Sequence, residues 1–126
     1  MKNQIGFSEL EWQIMQAIWE KGVLSVKEVW QKLFPDGEKA YTTIQTYMDR
    51  MVDKKLLNKQ KIGLVNFYHP QVDKRTLLKQ VTENLVSRAF NGSFFSLAAF
   101  LVDSPNLSKQ ELDKIKQIIK QKEKEV

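Results

Sequence analysis

The sequence predicts a mainly α-helical chain with one small β-hairpin, and three features of its 126 residues carry that expectation. Apolar residues recur at helical spacing through most of the chain. Ser-x-x-Glu capping boxes stand at Ser8–Glu11, Ser25–Glu28 and Ser108–Glu111, each ahead of an apolar periodic run. Between Leu57 and His69 the helical period gives way to two strand-like runs around Gly63-Leu64.

The first helix follows Ser8, with Leu10, Ile14, Ala17 and Ile18 at helical spacing and Trp12, Met15 and Trp19 widening the apolar face. Gly22 ends it by supplying a left-handed residue. Val23-Leu24 is too short for a helix and suits a small strand. A second helix opens at Ser25 and buries Val26, Val29, Trp30 and Leu33 before Pro35-Asp36-Gly37 breaks the chain. The third runs from about Tyr41 to Lys54, with Ile44, Met48, Met51 and Val52 inward. At about 100° per residue its opposite face carries Thr42, Thr46, Arg50 and Asp53, flanked by Thr43 and Asp49.

Leu57–Ile62 and Val65–His69 then form a hairpin about the tight turn at Gly63, and Pro70 ends the second strand. Helix, short strand, helix, helix, hairpin is the order of a winged helix-turn-helix domain, assigned to residues 1–71. Residues 72–126 differ in kind and are expected to form a three-helix dimerisation domain. Asp73 can cap a helix reaching about Phe90, with Leu77, Leu78, Val81, Leu85 and Ala89 along one side and Asn91-Gly92 at its end. Phe94 to Val102 is apolar nearly all round, and Ser104-Pro105-Asn106 breaks the chain again. The final helix turns Leu112, Ile115, Ile118 and Ile119 inward and lysines outward.

A short helix apolar on every side needs cover on every side. A second copy of the same segment supplies it in an isologous dimer, with Leu78, Leu85, Phe94, Leu97, Phe100, Leu101, Ile115 and Ile118 at the interface. The alternative is an intramolecular core against the winged helix.

The net charge is +5 and the pI about 9.4. Residues 39–61 hold six cationic side chains (Lys39, Arg50, Lys54, Lys55, Lys59, Lys61) against Asp49 and Asp53. Charge concentrated in this way points to a nucleic-acid partner. With no cysteine, disulfides, thiolate metal sites and cysteine nucleophiles are excluded. No run approaches the roughly 20 apolar residues of a membrane span. Met1–Gln4 lacks the stretch of a signal peptide, so a cytoplasmic protein is expected. His69 is the only histidine, and no phosphate loop, HExxH or nucleophile elbow occurs. Glu11 is explained by capping, and Asp49 and Asp53 are read as solvated or paired locally with Arg50 and Lys54. The expectation is no enzyme, no cofactor, no metal and no small-molecule substrate.

Double-stranded DNA fits the pattern better. The third helix would enter the major groove. There Thr42, Thr43 and Thr46 touch phosphates or thymine methyls, Gln45 pairs with adenine, and Arg50 reaches a phosphate or guanine. Lys54 and Lys55 would contact phosphates, and Lys59, Lys61 and the Gly63 turn would place the wing along the backbone or minor groove. The rival reading is a winged-helix module that binds protein rather than DNA.

The ordered set Leu10-Glu11-Trp12, Met15, Ile18-Trp19, Thr43-Ile44-Gln45-Thr46, Arg50, Lys54-Lys55-x-Leu57, Gly63 and Tyr68-x-Pro70 resembles the BlaI/MecI/CopY family of bacterial repressors. Phe90-Asn91-Gly92-Ser93 and Leu107-Ser108 resemble the dimerisation half of its penicillinase-type members. The resemblance implies a homodimer on a palindromic operator, repressing β-lactam-resistance or related envelope-response genes. It also implies release through a membrane sensor metalloprotease, and recognition through Thr43, Gln45, Thr46 and Arg50. Two positions depart from the pattern. Phe100-Leu101 stands where penicillinase-type members carry the cleaved Asn-Phe bond, and Leu64 occupies a wing position that is often basic. The cysteine cluster of copper-responsive members is absent.

Overall fold

A computed structural model of the chain describes residues 7–126, so the Met1–Gln4 stretch considered above lies outside the described residues. The elements are α1 (Glu9–Lys21), β1 (Leu24–Ser25), α2 (Val26–Leu33), α3 (Tyr41–Asp53), β2 (Leu57–Ile62), β3 (Val65–Pro70), α4 (Lys74–Ala89), α5 (Phe94–Val102) and α6 (Lys109–Glu125). The result is mainly helical, with a winged helix-turn-helix in its N-terminal part. Packing divides the chain into two compact units, one ending at Val81 and the other beginning at Thr82.

In the first unit the predicted caps form. The Ser8 hydroxyl accepts from the Glu11 amide at 3.2 Å, and the Glu11 carboxylate accepts from the Ser8 amide at 2.9 Å. Ser25 and Glu28 repeat the exchange at 3.2 and 2.8 Å. Gly22, with φ 91°, closes α1 by donating its amide to the Ile18 carbonyl.

The small strand lies one residue later than Val23-Leu24. Leu24 is buried while Val23 is 50% exposed, so the strand is Leu24–Ser25. It pairs antiparallel with β3, Leu24 opposite Tyr68 and Ser25 opposite Phe67. The expected hairpin is therefore part of a three-stranded sheet in the order β1-β3-β2.

The core gathers Ile14, Met15 and Ile18 from α1, Val29 from α2, and Ile44, Met48 and Met51 from α3, closed by Leu57 and Tyr68 from the sheet. All nine are fully buried. Each apolar side chain of this size contributes about 1.5–3 kcal/mol on burial. Met51 is fully buried and Val52, half-buried, packs against the core beside it, so the inward stripe of α3 is Ile44, Met48 and Met51 with Val52 at its edge. Two tryptophans fasten the chain around this core. The Trp19 indole donates to the Val72 carbonyl at 3.0 Å, drawing the segment after β3 back onto α1. The Trp30 indole donates to the Lys39 carbonyl at 2.7 Å and meets the Tyr41 ring edge-on at 5.8 Å. This fixes the chain leading into α3, whose N-cap residue Ala40 has no side-chain acceptor.

In the second unit, Ser93 caps α5 by accepting from the Ser96 amide at 3.0 Å. Ser108 and Glu111 form the third capping box at 3.1 and 3.4 Å. Val86 of α4 is fully buried, although it stands outside the row Leu77, Leu78, Val81, Leu85 and Ala89 expected to form the apolar side. Neither α5 nor α6 has a buried residue.

α3 ends in a Schellman turn. The Leu56 amide donates to the Met51 carbonyl at 2.9 Å, the Lys55 amide donates to the Val52 carbonyl at 3.0 Å, and Lys55 takes φ 65°. A β-carbon costs about 1 kcal/mol in that conformation. Lys55→Gly is expected to raise stability by up to about 1 kcal/mol, less what glycine adds in unfolded-chain entropy. A urea titration of the two proteins checks this.

Candidate nucleic-acid interface

With its inner stripe in the core, α3 presents Thr42, Gln45, Thr46 and Arg50 to solvent, and Thr43 half-buried beside them. These five residues lie on one continuous outer surface, as the helical period requires. The Thr46 hydroxyl donates to the Thr42 carbonyl at 2.9 Å. Its oxygen is therefore left as an acceptor for an incoming group. The Arg50 guanidinium lies 5.9 Å from the Tyr47 ring centroid and meets no carboxylate among the described residues. The first turn of α3 holds no acidic residue, so its positive dipole end is uncompensated.

The wing pairs β2 with β3 from Leu57 opposite Pro70 to Ile62 opposite Val65, leaving Gly63-Leu64 as a two-residue turn. Gly63 has φ 65° at the first turn position, as a type II′ hairpin turn requires. The tip is apolar rather than basic, with Ile62 59%, Leu64 94% and Val65 46% exposed. Lys61 is exposed on β2. Neither Lys61 nor Lys55 has a carboxylate partner among the described residues.

Lys54 and Lys59 are both engaged internally. Lys54 at the end of α3 binds the Glu11 carboxylate at 2.6 Å, and the Glu11 side chain is only 8% exposed. Burial alone pushes the Glu11 carboxyl up. Hydrogen bonds from Lys54 and Ser8, with the Lys54 charge, outweigh it and hold the group below its ordinary 4.5. Lys59 on β2 binds Asp49 Oδ1 at 3.0 Å, and the Tyr68 hydroxyl donates to the same oxygen at 2.7 Å. Burial, then the bond to Asp49, push the Tyr68 hydroxyl well above the usual phenol range, so it stays a donor.

The local pairing expected of Asp49 and Lys54 is thus corrected. Each reaches a distant element because packing against the core brings Glu11 to the end of α3 and Tyr68 under its flank. Their partners lie 43, 19 and 10 residues away in sequence, where no helical spacing rule reaches. One signal did exist for Tyr68. A tyrosine on a core strand needs a polar partner for its hydroxyl.

Of the residues read as a dimer interface, Leu78, Leu85, Phe94, Phe100, Leu101 and Ile118 are exposed, while Leu97 and Ile115 are half-buried. Among the described residues no cluster of His, Cys, Asp and Glu could hold a metal. No single described helix is long and apolar enough to cross a membrane.

Comparison with protein families matches residues 7–121 to the family described as penicillinase repressor. The chain belongs to the penicillinase repressor family. It is 28% identical to the penicillinase repressor of Bacillus licheniformis over 96% of this chain and 94% of that one. It is 24% identical to the methicillin resistance regulatory protein MecI of Mammaliicoccus sciuri over 91% and 94%. Among solved structures, the DNA binding domain of the repressor BlaI aligns with TM-score 0.51 and 32% identity over 59% of this chain and 90% of that one. The penicillinase repressor family is one of DNA-binding transcriptional repressors and not of enzymes, in keeping with the sequence reading.

Within this member of the family, Glu11→Gln keeps the cap to the Ser8 amide but removes the charge that holds Lys54. Because Lys54 is half exposed and can rehydrate, the expected loss is about 1–2 kcal/mol at neutral pH, read by urea denaturation. The folded carboxyl titrates below its unfolded value. Its contribution is therefore complete above about pH 4.5 and disappears as pH falls through the folded pKa, where parent and variant should converge.

Proposed function

We propose that this chain is a homodimeric, sequence-specific repressor that binds a palindromic operator in the cytoplasm and controls β-lactam-resistance or related envelope-response genes. The observation that carries the reading is the exposed outer face of α3, set beside a hairpin wing in a fold shared with the DNA binding domain of BlaI. Residues 1–71 supply the DNA-binding domain. Gln45 and Arg50 read base edges, and Thr42, Thr43 and Thr46 make phosphate or methyl contacts. Lys55, Lys61 and the Gly63 turn meet the backbone, where they set affinity and salt dependence rather than sequence preference.

Residues 72–126 supply the pairing element. In the single chain Phe94, Phe95, Phe100 and Leu101 of α5 are each more than half exposed, and Ile118 and Ile119 of α6 likewise. Apolar surface this dense calls for a partner, and a second copy offers the same surface in return. A membrane sensor metalloprotease remains the proposed route of release. Phe100-Leu101, at the position of the family's cleaved bond, lies inside α5, so a protease has to unwind a helical turn to reach it.

Two measurements test the reading. On a duplex taken from upstream of the chain's own gene, Arg50→Ala should cost about 1–3 kcal/mol of specific binding, while binding to an unrelated duplex changes less. Equal weakening on both would move Arg50 to a phosphate. Phe100→Asp should convert the dimer to monomer by light scattering and weaken operator binding in gel shifts. A dimer unaffected by that change would contradict the pairing through α5.

A further inference from the structure

We propose that Asp49 is a positioning residue that holds the wing to the recognition helix and withholds Lys59 from DNA phosphates, setting how strongly the protein discriminates between operator and random DNA. The inference rests on the DNA-binding reading above.

Three contacts link three side chains, two of them meeting at one oxygen. Asp49 Oδ1 accepts from the Tyr68 hydroxyl at 2.7 Å and from Lys59 Nζ at 3.0 Å, and Lys59 Nζ lies 5.8 Å from the Tyr68 ring centroid. The three side chains come from α3, β3 and β2, so the cluster joins the recognition helix to both strands of the wing. Tyr68 is fully buried and cannot follow an outside ligand. It anchors the carboxylate, and the carboxylate anchors the lysine.

Asp49 stands between Gln45 and Asp53 along the helix and next to Arg50, at the border of the face offered to DNA. A bare carboxylate there would repel phosphate. A bare lysine would attract any duplex whatever its sequence, since phosphate contacts carry no base information. Paired, they cancel, and Tyr68 adds a second donor that keeps the carboxylate turned towards the wing. Non-specific attraction is thereby reduced while the face of Gln45, Thr46 and Arg50 is left in place.

The test measures binding to a random-sequence duplex and to the upstream duplex across a salt series. The proteins are the parent full-length chain, Asp49→Asn, Lys59→Ala and the double variant, with thermal melts to verify folding. Asparagine keeps an acceptor for Tyr68 but not the charge that holds Lys59. Asp49→Asn should tighten random-duplex binding by about three- to tenfold near 0.1 M salt. It should also steepen the log–log salt slope by about 0.9 per protomer, the increment for one added phosphate contact. The ratio of upstream to random affinity should fall. Lys59→Ala alone bares the carboxylate, so it should weaken binding to both duplexes while leaving the slope, which counts phosphates neutralised, unchanged; Lys59→Ala added to Asp49→Asn should restore the parent slope. Merely loosened packing would not produce that crossed pattern. A slope lowered by about 0.9 per protomer in Lys59→Ala alone would show that the lysine reaches phosphate despite Asp49, and would overturn the proposal. An unchanged slope in Asp49→Asn would do the same. If Asp49→Asn does not fold, Lys59→Ala alone decides, because its side chain is partly exposed and outside the core. Failure of the parent to bind any duplex at low salt would instead overturn the DNA-binding reading itself.

Discussion

The structure depends on the burial of one stripe of α3. Ile44, Met48 and Met51 sit in the core against α1, α2 and the sheet. A helix of 13 residues is marginal alone in water, so its tertiary contacts are what make it persist. Burying that stripe also fixes the rotation of the helix, and the rotation decides which side chains face outward. The same three apolar residues therefore stabilise the domain and aim Thr42, Gln45, Thr46 and Arg50.

Polar contacts refine what the core sets. Glu11 caps α1 with one carboxylate oxygen and holds Lys54 with the other, so the start of α1 and the end of α3 share a side chain. Trp30 secures the opposite end by binding the Lys39 carbonyl just before α3 begins. Asp49 joins its flank to the wing. The helix proposed to read DNA is thus restrained at both ends and along one side. That matters because contacts to base edges tolerate little misalignment.

Much of this was legible in the sequence because it is local. Capping boxes, the change of period at Leu57, the turn at Gly63 and the outward row on α3 all depend on spacings of a few residues. The parts that were not legible depend on distant residues. The two-residue strand β1 exists only because β3 passes beside it, and the shift from Val23 to Leu24 follows from which of the two reaches the core. Asp49 and Lys54 carry charges that local spacing would pair along the helix, but Tyr68, Lys59 and Glu11 arrive through the fold and take them instead. Lys55 shows the same limit at the backbone. Its left-handed conformation is an unexpected choice for a lysine, and the Schellman turn that demands it depends on Leu56 entering the core.

The Trp19 bond to the Val72 carbonyl also has an optical consequence. All three tryptophans, Trp12, Trp19 and Trp30, precede residue 31, and none lies in the unit beginning at Thr82. Indole emission therefore reports on the winged-helix part alone. The donor bond from Trp19 makes that emission sensitive to whether the segment after β3 is seated on α1. Events confined to the helices beyond Thr82 pass without an indole signal and have to be followed by circular dichroism or light scattering.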